Sequence, residues 1–417
     1  MLAQAIEDTT IHGEVRPGFE AVRDAFAENF ASRNELGAAC CIYHQGEKVV
    51  DLWGGVRDAA TGAPWEAGTM TLVFSATKGL SAMTLAIAHA RGWLDYDERV
   101  ATYWPEFAQN GKAAITVRQL LAHQAGLFGF HAPVDRSVVA DLDRLAAIMA
   151  AETPEWPAGE RQAYHGISLG FYQGELLRRI DPQHRTLGQF FQEEIATPLG
   201  LDLYIRLPEE IPDERLAPLQ LASPISNLRD LPFQAMVAAF IPNSVFSRSL
   251  IRNPGTLLAM DEERVYARNL EVPSGGGVGT ARGIARAYSA FATGGAELGL
   301  RPATLAALAA PPIPPQRGFF DQCMRGDIRF SLGFMKPGPV WTFGGPASFG
   351  APGAGGSLGY ADPDTGTAYA YVCNRMGRSH DDPRDLVLRE ALARSLEDVT
   401  SNAQCVRRHE SSVKRQT

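Results

Sequence analysis

Between Gly79 and Leu94 the chain reads GLSAMTLAIAHARGWL, a helical stretch that is apolar on nearly every side. A surface helix keeps a polar face, and a membrane-spanning one needs about 20 apolar residues. This stretch meets neither condition, so it predicts a helix enclosed by protein, and the remaining chain has to supply the cover. With 417 residues, 45% of them hydrophobic and 21% charged, that cover can be a large core, and disorder is excluded as the main state.

The sequence carries 39 basic and 47 acidic residues, a net charge of -8, so no global basic field invites nucleic acid or an anionic membrane as partner. Only five of the basic residues are Lys (48, 78, 112, 336 and 414), which makes Lys78, at the mouth of the apolar helix, unusually informative. The five Cys, at 40, 41, 323, 373 and 405, have no CxxC or CxxxC spacing and cannot all pair within one chain. They read as reduced thiols of a cytoplasmic protein, and the opening MLAQAIEDTTIHGEV carries no apolar leader. The longest uncharged stretch, 337–361, holds eight Gly and four Pro in 25 residues, which excludes a spanning helix.

Residues 17–31 repeat Phe19, Val22, Phe26 and Phe30 at helical spacing. LGAACCIYHQGEKVVDLWGG reads as a β-hairpin turning at His44-Gln45-Gly46, and SLGYADPDTGTAYAYV as another around 362–366, after a strand-like RFSLGFM. Near 274–297, SGGGVGTARGIARAYSAFATGG gives a Gly turn, a Thr280 helix cap, an amphipathic helix and a Gly stop. From about 80 to 265 the pattern is mainly helices and Pro-interrupted loops. Strands at both ends with helices between predict an α/β architecture of the α+β type. One domain is built from residues 1–80 and 266–400, a mainly helical domain over 81–265 is inserted, and a tail from 401, net +3, is expected to be disordered.

Acyl transfer without a metal or cofactor needs a nucleophile, a group to take its proton, and donors for the oxyanion. Ser75-Ala76-Thr77-Lys78 offers the first two, because positions i and i+3 share a helix face and the helix N-terminus favours negative charge. With 20 Ser and five Lys in the chain, chance alone yields roughly 0.24 such spacings. A second, Ser411-Ser412-Val413-Lys414, lies in the polar tail, so the spacing is weak by itself. A capping Ser with a Lys whose stem lies along the apolar surface is the competing explanation, at about even odds on the residues alone. Two GxSxG matches, around Ser168 and Ser357, lack the buried strand that a nucleophile elbow requires before the serine.

Five segments, VFSATKGLSAM, LDYDERVATYWPEF, ITVRQLLAHQAGL, AYHGISLG and FGAPGAGGSLGYADPDTG, occur in this order and resemble the β-lactamase-like serine hydrolases, most closely the family VIII carboxylesterases. The resemblance covers about residues 17–397 and implies an antiparallel sheet flanked by helices, a helical domain, and an active site between them. It implies Ser75 as nucleophile, Lys78 as its partner and Tyr164, in Tyr164-His165-Gly166, as general base. Gly166 stands where β-lactamases carry Asn. Ala351-Pro352-Gly353 stands where they carry Lys-Thr-Gly, so the third motif has lost its positive group. The implied oxyanion donors are the N–H groups of Ser75 and Ala354, since Pro352 has none.

Ala351 and Gly353 are expected at the substrate by position in that motif. His165, beside Tyr164, and Trp341 are further candidates for the pocket wall, with core packing the equal alternative for Trp341 and for Trp156. His123 reads as structural. The nine His form no HExxH or other ligand cluster, so neither metal nor cofactor is expected. The sequence thus predicts a cytoplasmic serine carboxylesterase acting on short acyl or small aromatic esters, with weak β-lactam hydrolysis as a side activity. Its partner is a small-molecule ester rather than nucleic acid or membrane. A β-lactamase or penicillin-recognising peptidase, an acyltransferase of the same fold, and an inactive binding protein are the alternatives.

Overall fold

The computed structural model describes residues 10–220, 241, 243–253, 255–260, 265–377 and 381–413, with residues 256, 257 and 402–413 as backbone only. The chain opens with strands β1 (Ile11–Val15), β2 (Gly37–His44), β3 (Glu47–Asp58) and β4 (Ala63–Pro64). Three two-residue strands, β5 (Thr71–Leu72), β6 (Leu203–Tyr204) and β7 (Val278–Gly279), make a small separate sheet. The last third supplies β8 (Arg329–Ser331), β9 (Phe334–Lys336), β10 (Phe349–Pro352), β11 (Leu358–Asp362) and β12 (Thr367–Cys373). The main sheet runs β1-β3-β2-β12-β11-β10-β9-β8, with β4 added on β3, and every pairing is antiparallel.

The two ends of the chain meet where β12 pairs β2, in register from Thr367 opposite His44 to Cys373 opposite Ala38. Both expected hairpins flank this seam. The first turns on Gln45 (φ 54) and Gly46 (φ 81), two positive angles of the kind a two-residue hairpin loop needs to match strand twist. RFSLGFM, expected as a strand, is itself a hairpin, β8 to β9, turning on Leu332 (φ 51) and Gly333 (φ 90).

The helices that frame the site are α1 (Glu20–Ser32), α2 (Thr77–Ala90), α3 (Ser168–Ile180), α4 (Ala281–Ala292) and α5 (Pro383–Val413). Strand alternation sorts the core into two layers. Cys40, Ile42, Tyr369 and Tyr371 pack with Phe26 and Phe30 of α1 and Leu388 and Leu392 of α5. Cys41, Ala368, Ala370 and Val372 face the other way, into a cluster with α2 and α4. The small residues of β12 on that face let α4 lie close, and Thr280 caps it by accepting from the Gly283 amide at 2.9 Å. Every residue of α2 except His89 is buried, as an all-round apolar helix requires. The expected tail instead continues α5 to Val413, in a stretch where no Gly or Pro interrupts the helix after Pro383. Residues 414–417, with Lys414 of the second SxxK spacing, lie outside the described residues. None of the described helices is long and apolar enough to cross a membrane.

The closest fit in this layer is at Gly79, where an added Cβ would stand 2.0 Å from the hydroxyl of Tyr288 on α4 and 3.2 Å from the Ala351 methyl. That hydroxyl is buried without a hydrogen-bond partner among the described residues. Gly79→Ala is therefore expected to destabilise by roughly 1–3 kcal/mol through overpacking. Tyr288→Phe, by contrast, is expected to be neutral or stabilising, and to recover much of the Gly79→Ala loss when combined with it. Urea unfolding of the two single variants and the double tests this; additive losses would show that the hydroxyl is not what fills the space.

Candidate active site

Ser75 lies in a short 3-10 turn, Phe74–Ala76, that leads from β5 into α2. Phe74 has φ 43, a left-handed conformation that costs a non-glycine residue on the order of 1–2 kcal/mol. The turn is held by Thr77, whose hydroxyl donates to the Phe74 carbonyl at 2.5 Å and accepts from the Gly277 amide at 2.8 Å. Gly277 belongs to the SGGGVGT run, whose β7 also pairs β5. The Gly turn read in the sequence thus clamps the segment that carries Ser75.

Lys78, one helical turn on, is 3% exposed. Its Nζ lies 3.3 Å from Ser75 Oγ and donates to the carbonyls of Gly166 at 2.6 Å and Ser274 at 2.9 Å. Burial pushes its pKa well below the usual lysine value. Tyr164 completes the triangle by donating its hydroxyl to Ser75 Oγ at 2.7 Å. Burial raises its pKa despite that bond, so the phenol form is favoured and a resting phenolate base is not.

The Tyr164 ring is stacked on Phe330 (centroids 5.8 Å apart, 14° between planes), meets His123 at 5.1 Å, and has the Lys78 Nζ 4.7 Å from its centroid. His123 takes φ 60 and accepts from the His165 amide through Nδ1 at 2.9 Å, while its carbonyl accepts from Ala163 at 3.1 Å. Read as merely structural in the sequence, it is the residue that holds both neighbours of Tyr164. Burial keeps its ring well below the ordinary histidine pKa, hence neutral. Beneath lies Asp321, fully enclosed, its pKa raised by burial to about 6 and its Oδ1 accepting from the Cys323 and Met324 amides.

The end of β10 abuts the Ser75 turn, since a Cβ on Gly353 would stand 2.1 Å from the Val73 carbonyl oxygen. Ala354 follows, exposed, and its position is set from the next residue. The Gly355 carbonyl accepts from the Gly377 amide at 3.0 Å and from Arg384 Nη2 at 3.5 Å. Among the described residues neither the Ser75 nor the Ala354 amide donates a backbone hydrogen bond.

Two of the expected wall residues are elsewhere, and a third, Ala351, keeps its place near the end of β10 but is buried there. Trp341 is 2% exposed in the layer under α1 and α5, packed against Phe343 at a tilt, because the irregular segment between β9 and β10 carries its ring into that layer. His165 is fully buried with Nδ1 on the Ala163 carbonyl and Nε2 accepting from Leu127, and burial takes its pKa to about 4. Both nitrogens are engaged by backbone, so the ring supports the turn instead of lining a pocket. Ala351 is 4% exposed and packs toward Gly79 of α2. The GxSxG serines are also tied down: Ser168 donates to the Leu127 carbonyl and Ser357 accepts from the Cys373 amide, both buried. Trp156 is half-buried against Phe128, beside the Tyr164 cluster. Ser274, Ser249 and Arg384 carried no sequence signal, because each acts through a backbone group or on one.

A profile of the beta-lactamase family matches residues 22–394. Esterase/beta-lactamase LipL of Mycobacterium tuberculosis is 34% identical over 369 residues, covering 88% of this chain and 83% of its own. A crystal structure of a family VIII carboxylesterase superposes with TM-score 0.81 at 34% identity, over 93% of this chain and all of that one. A penicillin-binding protein homologue from Caulobacter crescentus superposes with TM-score 0.79 at 35% identity, again over 93% of this chain and 100% of its own.

Gly353→Ala would place its methyl 2.1 Å from one backbone oxygen and 3.0 Å from another, that of Ser357, with no rotamer to relieve either contact. The end of β10 then has to retreat from the Ser75 turn. Turnover of a p-nitrophenyl ester is expected to fall by at least about tenfold, the cost of misplacing one donor by a fraction of an ångström. A variant that loses thermal stability but keeps full turnover would detach this strand end from the chemistry.

Proposed function

The chain belongs to the beta-lactamase family of serine hydrolases, and on that premise we propose that it is a cytoplasmic carboxylesterase that cleaves short acyl or small aromatic esters through an acyl-enzyme. The observation that carries this reading is the contact of Ser75 Oγ with both the Tyr164 hydroxyl, at 2.7 Å, and the Lys78 amine, at 3.3 Å. The free thiols at Cys40, Cys41, Cys323 and Cys373 support a reducing compartment.

A neutral amine has two N–H donors and one lone pair. The carbonyls of Gly166 and Ser274 take the donors, and the lone pair is left for Ser75. In the proposed reaction Ser75 Oγ attacks the ester carbonyl carbon while its proton passes to Lys78. The Ser75 and Ala354 amides hold the oxyanion that forms. As the tetrahedral intermediate collapses, the C–O bond to the alcohol breaks and Tyr164 hands the leaving oxygen a proton, replaced from Lys78. Water then attacks the acyl-enzyme, giving its proton to the same pair, and Ser75 leaves with one. Tyr164 thus relays the proton, whereas the family resemblance had implied it as the base.

Aromatic side chains at Phe330, His123 and Trp156 around Tyr164 support small apolar acyl or aryl groups. A relative named for both activities supports weak β-lactam turnover. The lack of an ammonium at Ala351 weighs against β-lactams as main substrates, since a charge-assisted contact is worth about 1.5–3 kcal/mol.

Ser75→Ala is expected to abolish fluorophosphonate labelling and nearly all ester turnover, while Ser168→Ala keeps its labelling. With Lys78 as base, kcat/KM rises with pH through the lowered lysine pKa, reaches its plateau below the ordinary value of 10.5, and stays level because Tyr164 ionises above its ordinary 10.0. Lys78→Ala should remove that acid limb and cost roughly 10²–10⁴-fold in kcat. An activity that keeps climbing past pH 10 would return the proton to a Tyr164 phenolate.

A further inference from the structure

We infer that Ser249, from the segment 244–253, is a positioning residue that fixes the Tyr164 hydroxyl and the Lys78 amine relative to Ser75; the inference rests on those three as the reacting groups. The Ser249 hydroxyl donates to the Tyr164 carbonyl at 2.6 Å and accepts from the Gly166 amide at 2.8 Å. One side chain therefore closes the Tyr164-His165-Gly166 turn from both ends.

The turn it closes delivers two groups to Ser75. From one end comes the Tyr164 hydroxyl, and from the other the Gly166 carbonyl that holds Lys78 at 2.6 Å. The Gly166 amide and carbonyl belong to consecutive peptide units joined at its Cα, so an amide held by Ser249 restricts the dihedrals through which the carbonyl could swing away from the amine. Ser249 thus fixes the two peptides that link Tyr164 to Gly166, and through the Gly166 Cα it steadies the carbonyl that Lys78 uses.

Gly166 itself has no room for a side chain. A Cβ there would stand 2.3 Å from Leu250 Cδ2, 2.8 Å from the Ser249 carbonyl oxygen and 2.9 Å from Ser249 Oγ. The volume that a side chain at 166 would occupy is filled by Ser249 and Leu250, which arrive from 83 residues along the chain. The segment is anchored in turn: Asn253 donates to the Phe130 and Ala132 carbonyls at 3.1 and 2.6 Å, and Arg248 pairs with Glu155 at 2.5 Å. Gly166 and Ser249 therefore fit one another: the space a side chain at 166 would need is the space that Ser249 and Leu250 fill.

The test is steady-state hydrolysis of p-nitrophenyl acetate from pH 5 to 10 by the full chain and its Ser249→Ala, Ser249→Cys and Ser249→Thr variants, with thermal unfolding measured alongside. Ser249→Ala is expected to lower kcat roughly ten- to a hundredfold with KM changed less than about threefold. The acid limb of the profile should move to lower pH, because the ammonium loses a carbonyl that stabilises it. Ser249→Thr keeps the hydroxyl and should restore both. Should the alanine variant fail to fold, Ser249→Cys, close in size and weaker as a donor, is expected to show the same changes at smaller amplitude. A variant whose kcat and acid limb stay at the wild-type values overturns the inference. So does a loss of kcat that follows thermal stability alone, leaves the acid limb in place and is not rescued by Thr. Ser75→Ala run in parallel separates the two levels: turnover surviving there would sink the nucleophile assignment, whatever the Ser249 variants do.

Discussion

Taking one lysine amine out of water beside one serine hydroxyl is the constraint around which this fold is organised. Removing an ammonium from water costs several kcal/mol, and a buried carboxylate partner would restore the charge and hold it there. Lys78 is instead met by two neutral carbonyls, of Gly166 and Ser274, which serve the amine in either protonation state. This answer needs three distant pieces of chain at one place: the start of α2, the turn at 164–166 and the run at 274–279. The apolar character of α2 follows from the same need, since a helix whose first turn carries a dry lysine cannot present a wet face there.

The sheet meets a second requirement, that the oxyanion donors stay fixed while side chains around them vary. The end of β10 meets the Ser75 turn backbone to backbone, Gly353 against the Val73 carbonyl, and Gly355 just beyond it is held by the Gly377 amide. Arg384, from α5, ties the Gly355 carbonyl to a buried set of acids, pairing with Glu35 at 2.8 Å and Asp382 at 2.9 Å. The loss of a charged side chain at Ala351 is tolerable on this account, because the strand end is positioned from the far layer of the sheet and not through its own motif.

What the sequence made legible follows from which physical signals are local. The enclosed helix, the Gln45-Gly46 turn and the Thr280 cap are each written in a few adjacent residues, through period, positive φ and capping chemistry. Ser75, Lys78 and Tyr164 became readable together only through the order of five segments, since a single SxxK spacing also arises by chance. Trp341 and His165 illustrate what a local signal does not contain. An aromatic in a Gly- and Pro-rich stretch is recognisably buried, but which layer buries it depends on the path of an irregular connection that residues far along the chain determine. His165 follows Tyr164 in a tight turn, and adjacency in such a turn sends the two rings in different directions. Ser249 is the far case, a serine among serines whose role exists only through two backbone groups 83 and 85 residues away.

The protonation states around Ser75 add a last step to this logic. Burial lowers Lys78 and His123, takes His165 to about 4 and raises Tyr164, so each of these four groups is shifted toward its uncharged form. In the proposed mechanism the reaction itself then creates two opposite charges, an ammonium at Lys78 and an oxyanion held by amide dipoles in a poorly screened environment, where such dipoles count for most. A neutral ester enters such a place without altering it. A substrate that brings its own carboxylate, as β-lactams do, has to bury a charge for which Ala351 supplies no partner, and an unpaired buried charge costs more than the lost contact alone. The proposed preference for esters thereby rests on how little compensating charge surrounds Ser75, and the missing third-motif cation is one part of that.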